Sequence, residues 1–212
     1  MSPSTDWDAW HRPYESPGSP LARRLRIVQS AIRAELDATG PRPVRALSVC
    51  AGDGRDLIQV LASRPDADRV TADLLEQDPR CVARAQAQVQ AAGLATVTVT
   101  RTDASKSDAY TGLVPADLVL LCGVFGNIAD HDVRGLVEAL PQLCRTGALV
   151  IWTRHHRPPD LTPSIRRWLR EARFDEVSFT APSDAVFSVG VHRFSGEPVP
   201  LEPARTLFSF VR

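Results

Sequence analysis

The 212-residue sequence predicts an α/β fold: a doubly wound, seven-stranded, mostly parallel sheet with a helical extension at the N-terminus. From residue 44 onward, short apolar segments with β-type composition alternate with segments of helical periodicity. One of them, "ADLVLLCGVF", is apolar throughout its middle, which is typical of a strand buried on both faces. This alternation predicts parallel strands with helices on both faces of the sheet.

The N-terminal 40 residues form a region of their own in this prediction, ahead of a domain over residues 41–212. "STDWDAWH" has the pattern of a short capped helix that stops near Pro13. A second helix is predicted from Pro20 to Asp37, and Gly40 with the following prolines ends it. The apolar stripe of this second helix consists of Leu21, Leu25, Val28, Ile32 and Leu36.

Six strands of the predicted sheet follow in order along the chain. They are "VRALSVC", "RVTADLLEQD", "TVTVTRTD", "ADLVLLCGVF", "GALVIWTRHH" and "DEVSFTAP". The intervening helices are "RDLIQVLAS", "PRCVARAQAQVQAAG", "HDVRGLVEALPQLC" and "PSIRRWLREARF". Either "FSVGVHRF" or "TLFSFVR" supplies the seventh strand.

Composition and charge exclude several classes of protein. The chain carries 25 basic and 25 acidic residues, so it lacks the basic excess from which nucleic-acid binders obtain most of their affinity. No apolar run approaches the length of a membrane span. The four cysteines form neither a close pair nor a metal-binding spacing. We therefore expect a small-molecule partner, no metal, reduced thiols and a cytoplasmic location; nothing in the pattern indicates an oligomeric state.

A glycine-containing turn follows the first predicted strand. In "SVCAGDGRDL", the residues between strand and helix are Ala51, Gly52, Asp53 and Gly54. Glycine adopts positive φ and leaves room for a ligand beside the backbone, and the following helix presents free N–H groups. In a doubly wound sheet, ligands bind at such strand ends. The turn alone is equally compatible with a plain strand-to-helix connection. Residues at the other strand ends therefore decide whether it binds a ligand.

Three further strand ends carry residues suited to a nucleotide-like ligand. The second strand ends in Glu76 and Gln77, at the spacing of an acid that binds a ribose. Each hydrogen bond from a sugar hydroxyl to such a carboxylate is worth about 1.5–3 kcal/mol. Asp103 and Ala104 follow the third strand, and Cys122–Gly123 follows the fourth. Together the four strand ends predict one binding crevice.

Taken in order, these four stretches resemble the class I S-adenosylmethionine-dependent methyltransferases, which have a Rossmann-like fold. "SVCAGDG" matches the last two glycines of the family's first loop, and "EQDPRCVARA" follows its usual D-x-D-P pattern. The resemblance implies S-adenosylmethionine as cofactor, S-adenosylhomocysteine as product, and methyl transfer to an oxygen or nitrogen of a small molecule. The cofactor-binding residues that it implies are Cys50, Ala51, Gly52, Asp53, Gly54, Glu76, Gln77, Asp103, Ala104, Cys122 and Gly123.

Two residues of the first loop depart from the family pattern. Ser48 stands where members often have an acid that positions the loop and the amino group of the methionine part, and Cys50 replaces the first glycine. We expect an extended backbone at Cys50, with unusual angles only at Gly52 and Gly54. Asp53, or another residue near the loop, is expected to replace the lost acid. The departures keep open a second function, that of a protein which binds the cofactor without methylating.

Other cofactor and substrate classes fit the sequence less well. The NAD fingerprint G-x-G-x-x-G fails because Leu57 stands at the third glycine position. "CGVFGN" lacks the proline pair with which nucleic-acid N-methyltransferases grip a base. Asn127 and His155 occupy the neighbourhoods in which metal-dependent members have aspartates.

The residues that would act on the substrate are less well indicated. His155, after the fifth strand, is the candidate general base, and a polar strand end is the equal alternative. His192 is expected near the same edge. Trp10, His11 and Tyr14 fit an N-terminal lid, since aromatic side chains exclude water and offer polar tips. Packing of that helix onto the domain explains the same residues equally well.

Overall fold

The structure, a computed structural model, describes residue 16 and residues 18–211, and it contains one seven-stranded sheet. The predicted lid residues Trp10, His11 and Tyr14 lie outside the described residues. The strands are β1 (Val44–Val49), β2 (Val70–Glu76), β3 (Val97–Arg101), β4 (Ala116–Leu121), β5 (Cys144–His155), β6 (Phe174–Thr180) and β7 (Phe187–Phe194).

The strand order is β3-β2-β1-β4-β5-β7-β6, and β7 alone in this sheet runs antiparallel to its neighbours. The predicted fold class is therefore confirmed. "FSVGVHRF" is the seventh strand, whereas "TLFSFVR" forms only the isolated bridges Lys106–Thr206 and Ile128–Phe210. The chain order reverses between β1 and β4, which is the point where doubly wound sheets bind ligands.

Five α-helices of the described chain cover the two faces of the sheet. They are α1 (Pro20–Ala38), α2 (Arg55–Ala62), α3 (Pro79–Ala91), α4 (Asp130–Ala139) and α5 (Thr162–Glu171). Helices α1 to α3 pack on one face and α4 and α5 on the other, each against its own apolar cluster. None of the helices in this part of the chain is long and apolar enough to cross a membrane.

Helix α1 begins where the sequence predicts and packs beside the first loop. The Ser19 hydroxyl accepts a hydrogen bond from the Ala22 N–H at 3.1 Å, which caps the helix. Of the predicted stripe, Val28, Ile32 and Leu36 are buried. The side-chain amide of Gln29 donates to the backbone oxygen of Arg55, so α1 is fixed to the start of α2. This contact places the N-terminal half of α1 at the carboxyl edge of the sheet.

The antiparallel half of the sheet is organised around Trp152, which is fully buried. Its indole lies over Gly190, the residue opposite it in β7, and a Cβ at that position would lie 2.2 Å from the ring. Phe125 and Phe179 contact the same indole with ring centroids 5.7 and 5.9 Å away. Glycine is thus required at position 190 by the close approach of the ring.

The substitution Gly190→Ala is expected to destabilise the protein by about 1–3 kcal/mol, since the added Cβ would overlap the buried Trp152 ring, which also packs against Phe125 and Phe179. Gly135→Ala is the matched control, because that exposed glycine in α4 has no atom within 4 Å of the added Cβ. The control should stabilise by about 0.4–1 kcal/mol. Chemical denaturation measures both; equal effects of the two substitutions would contradict the described packing.

Candidate active site

A cleft of about 390 Å³ opens at the carboxyl ends of β1 to β4. Its volume lies within the roughly 300–1,000 Å³ of small-molecule sites. Ten of the eleven predicted cofactor-binding residues line the cleft, and the exception is Gly54. The sequence therefore indicated this crevice, although the ten residues come from four separate strand ends.

The first loop differs from the prediction at one residue. Cys50 has φ of 54°, in the left-handed region, so the expected extended backbone at this position is wrong. Gly52 and Gly54 have φ of 60° and 69°, as predicted. The backbone therefore turns at Cys50, one residue earlier than expected, although the next residue is still bonded to β2: the Ala51 N–H donates to the backbone oxygen of Leu75. A left-handed residue other than glycine costs about 1–2 kcal/mol, which the loop accepts at Cys50.

Gly54 serves packing rather than the cleft. It precedes the first residue of α2, and a Cβ there would lie 2.5 Å from Leu74 Cδ2 and 2.7 Å from Ile58 Cδ1. The close approach of α2 to β2 therefore requires glycine.

Glu76 connects the first loop to the end of β2. One carboxylate oxygen accepts the Gly52 N–H at 2.7 Å, and the other accepts the N–H groups of Gln77 and Asp78, both at 2.8 Å. A carboxylate offers about four acceptor positions, so the three backbone donors orient the group and leave room for a further one. The side chain is half-buried and lines the cleft.

Asp53 does not fit the expected role of replacement acid, because its carboxylate is held by Arg55. The Arg55 Nε lies 2.9 and 3.0 Å from the two carboxylate oxygens, and the guanidinium makes a further ion pair with them. In addition, the backbone oxygen of Asp53 accepts the Gln88 side-chain amide at 2.9 Å, which fixes the loop to α3.

Asp56 and Asp78 are the acids of the cleft that the sequence did not predict, and Asp56 is the buried one of the two. It lies in the first turn of α2, it is 8% exposed, and it lines the cleft. Burial raises the pKa of its carboxyl to about 6, the hydrogen bond from the Leu57 N–H opposes this rise, and the Asp53 charge adds to it. Its carboxylate also interacts with the Cys122 thiol at the end of β4. Nothing in "RDLIQVLAS" distinguishes this aspartate from a solvated residue at a helix start.

The third and fourth strand ends supply fixed backbone groups. The Asp103 carboxylate accepts the Ser105 N–H at 2.9 Å, and the Ala104 oxygen accepts the Tyr110 hydroxyl. The Gly123 N–H donates to the Thr153 hydroxyl at 2.9 Å. Burial raises the pKa of the Cys122 thiol well above its usual value, so this group is a neutral donor.

Two walls of the cleft come from segments without a recognisable motif. Helix α1 contributes Arg24, Leu25 and Val28, and the C-terminal segment contributes Phe210. That segment is attached across the sheet edge by backbone hydrogen bonds, including Leu207 N–H to Ser105 and Val211 N–H to Asn127. Only the folded chain brings these residues to the cleft.

The two predicted histidines lie outside the cleft lining. His192 pairs with Val150 in the middle of β5 and is 1% exposed, so the expectation that it lies near the carboxyl edge is wrong. It accepts the Trp152 indole N–H at 3.2 Å, and burial lowers its pKa to about 4. β7 runs antiparallel, which carries His192 away from the edge. His155 ends β5 as predicted, half-buried with its ring beside Gly126.

Comparison with known proteins agrees with this geometry. Residues 22–173 match the family model described as "Putative methyltransferase", and the chain therefore belongs to that family. No curated protein matches the sequence. Among the residues described by the structure, no group of three or more histidine, cysteine, aspartate or glutamate side chains is arranged to hold a metal ion.

Several solved structures share the fold at low sequence identity. Magnesium protoporphyrin IX methyltransferase from Synechocystis PCC 6803, with bound S-adenosylhomocysteine, has a TM-score of 0.67 at 14% identity, covering 91% of this chain and 95% of that one. 1,6-Didemethyltoxoflavin-N1-methyltransferase from Burkholderia thailandensis has a TM-score of 0.60 at 16% identity, covering 81% of this chain and 78% of that one. An O-methyltransferase family protein from the same organism has a TM-score of 0.59 at 16% identity, covering 89% of this chain and 69% of that one. The predicted class I methyltransferase fold is thus confirmed.

The Asp56 carboxyl is expected to make stability depend on pH. Its pKa is near 3.8 in the unfolded chain and about 6 in the folded one, so its contribution to stability is greatest below pH 4 and is lost as the pH rises from 4 to 6. Asp56→Asn should therefore stabilise the protein at pH 7.5, by up to about 3 kcal/mol, and clearly less at pH 4.5.

Chemical denaturation at the two pH values measures this difference, with the exposed Asp68→Asn as control. The control should change stability by less than about 0.5 kcal/mol at either pH. Destabilisation by Asp56→Asn at pH 7.5 would contradict the described burial.

Proposed function

We propose that this methyltransferase transfers the methyl group of S-adenosylmethionine to an oxygen or nitrogen atom of a small molecule. The observation that carries the proposal is the cleft itself, in which residues from four strand ends meet around a left-handed loop. In the related folds described above, bound S-adenosylhomocysteine accompanies two of the three structures.

The charge of the cleft suits this cofactor. Five carboxylates and two guanidinium groups line it, so formal negative charge exceeds positive by three. The carboxylates are those of Asp53, Asp56, Glu76, Asp78 and Asp103. S-adenosylmethionine carries a sulfonium and an ammonium against one carboxylate, and an acidic cleft attracts such a net cation.

The residues present would hold the cofactor at both ends. Glu76 would accept a hydrogen bond from a ribose hydroxyl, and Asp103 with Ala104 would lie beside the adenine base. The first loop and Gly123 would border the amino-acid end. When bound, the cofactor supplies an electrophilic methyl group on sulfur. The chain would contribute in-line placement of the acceptor and exclusion of water, which are the main demands of this reaction.

A small acceptor is supported by charge and size. The acidic lining repels the phosphates of nucleic acid, and the whole chain carries no net positive charge. Two of the structures with a similar fold are methyltransferases named for magnesium protoporphyrin IX and for 1,6-didemethyltoxoflavin. The four cysteines are free thiols, which supports the proposed cytoplasmic location.

The substrate side of the cleft would be closed by the N-terminal region. Arg24, Leu25 and Val28 of α1 form one wall of the cleft, and the N-terminal region directly precedes this helix in the sequence. We retain Trp10, His11 and Tyr14 as proposed lid residues, within an extension over residues 1–40. We likewise retain His155 as the proposed base, acting from the end of β5.

Glu76→Ala is expected to weaken S-adenosylhomocysteine binding by about 10- to 100-fold, because the ribose loses a charged acceptor and Gly52 loses its partner. Glu138→Ala is the matched control, since this exposed glutamate in α4 pairs only with Arg134 among the described residues. Calorimetric titration measures both variants. Unchanged affinity of a folded Glu76→Ala variant would refute the ribose contact.

Formation of S-adenosylhomocysteine tests the activity itself. The enzyme is incubated with S-adenosylmethionine labelled in the methyl group and fractions of a metabolite extract, and both product and labelled acceptor are measured. A methyltransferase transfers label to a small molecule in at least one fraction. Binding of the cofactor without any transfer would favour the alternative, a non-methylating binding protein, which the departures at Ser48 and Cys50 keep open.

A further inference from the structure

The end of β1 has Ser48 where related sequences often have an acid, and no other residue of this strand supplies a carboxylate. Ser48 is 2% exposed, pairs with Leu74 and Leu120 in the neighbouring strands, and does not line the cleft. A serine hydroxyl at this position provides no charge for a ligand.

A buried carboxylate is nevertheless present in the first turn of α2, after the loop that follows β1. Asp56 accepts the Leu57 N–H at 2.8 Å and interacts with the Cys122 thiol, and no described arginine or lysine forms an ion pair with it. Burial of a charge without a cation is costly. A cationic group on a bound ligand would compensate the charge, and the carboxylate lines the cleft that such a ligand would enter.

The sheet order determines which end of the ligand would meet Asp56. Glu76 and Asp103 stand at the ends of β2 and β3, on one side of β1. Cys122, the partner of Asp56, stands at the end of β4 on the other side. A cofactor whose sugar lies at Glu76 therefore extends across the first loop toward Asp56. Its far end is an amino acid.

We propose that Asp56 binds the ammonium group of the cofactor's amino-acid end, and so replaces the strand-end acid that Ser48 lacks. This inference rests on the proposed function and adds a binding residue to it. The titratable groups around it are the charged Asp53 from the preceding loop, the neutral Cys122 thiol after β4, and the charged Arg24 from α1. Asp53 is neutralised by Arg55, so that of these two neighbouring carboxylates Asp56 is the one available to a cation.

Two ligands that differ only in the amino-acid end test this assignment. S-adenosylhomocysteine has the ammonium group, whereas 5′-methylthioadenosine has the same adenosine and a thioether but no amino acid. Asp56→Asn should weaken binding of S-adenosylhomocysteine at least tenfold and leave binding of 5′-methylthioadenosine unchanged within about twofold. Glu76→Ala is the matched comparison and should weaken both, because both ligands carry the ribose.

Each outcome of these titrations is decisive. Equal effects of Asp56→Asn on the two ligands, or no effect on either, would overturn the assignment while the proposed function stands. Failure of the unaltered protein to bind either ligand would overturn the proposed function as well. The melting temperature of each variant, measured alongside, shows that the protein titrated is folded.

The pH dependence of binding provides an independent readout. Protonation of Asp56 removes its charge, and the pKa of this carboxyl is about 6 in the ligand-free protein. The affinity for S-adenosylhomocysteine should therefore decrease as the pH falls below 6, relative to that for 5′-methylthioadenosine. A constant ratio of the two affinities between pH 7.5 and 5 would contradict the role of Asp56.

Discussion

The hydrogen bond between the Gly52 N–H and the Glu76 carboxylate is the contact on which the site depends. It links the loop after β1 to the end of β2, and two further backbone donors hold the same carboxylate in place. The loop is thereby shaped before any ligand arrives, which reduces the entropy that binding must overcome. A side chain that only bound sugar would not need these partners; Glu76 both builds the crevice and presents an acceptor within it.

The apolar interior of the sheet and its charged carboxyl edge are two contrasting environments. Its interior is apolar on both faces, whereas its carboxyl edge gathers five carboxylates around one cleft. Such a concentration of like charge is unfavourable unless partners compensate it. Arg55 compensates Asp53 and backbone N–H groups compensate Glu76, but within the described chain Asp56 receives only backbone N–H groups and a thiol. On our proposal, this remaining imbalance would favour a cationic ligand in the cleft.

The sequence predicted those features of the fold and the site that local sequence patterns encode. Strand and helix alternation, a glycine turn and an acid at the end of β2 are local patterns, and they located ten of the eleven expected lining residues. It failed where backbone conformation or strand direction decides. Cys50 is left-handed although its segment reads as a continuing strand, and His192 lies in mid-sheet because β7 is reversed. Asp56 and Phe210 reach the cleft only through tertiary packing, which no pattern in their own segments records.

A crystal structure of the protein with S-adenosylhomocysteine is the most direct test of the central claim. We expect the ribose hydroxyls within hydrogen-bonding distance of Glu76 and the ammonium group beside Asp56, with the loop at residues 50–54 in its present conformation. A nucleoside bound elsewhere, or bound in the reverse direction with its sugar beside Asp56, would refute both assignments.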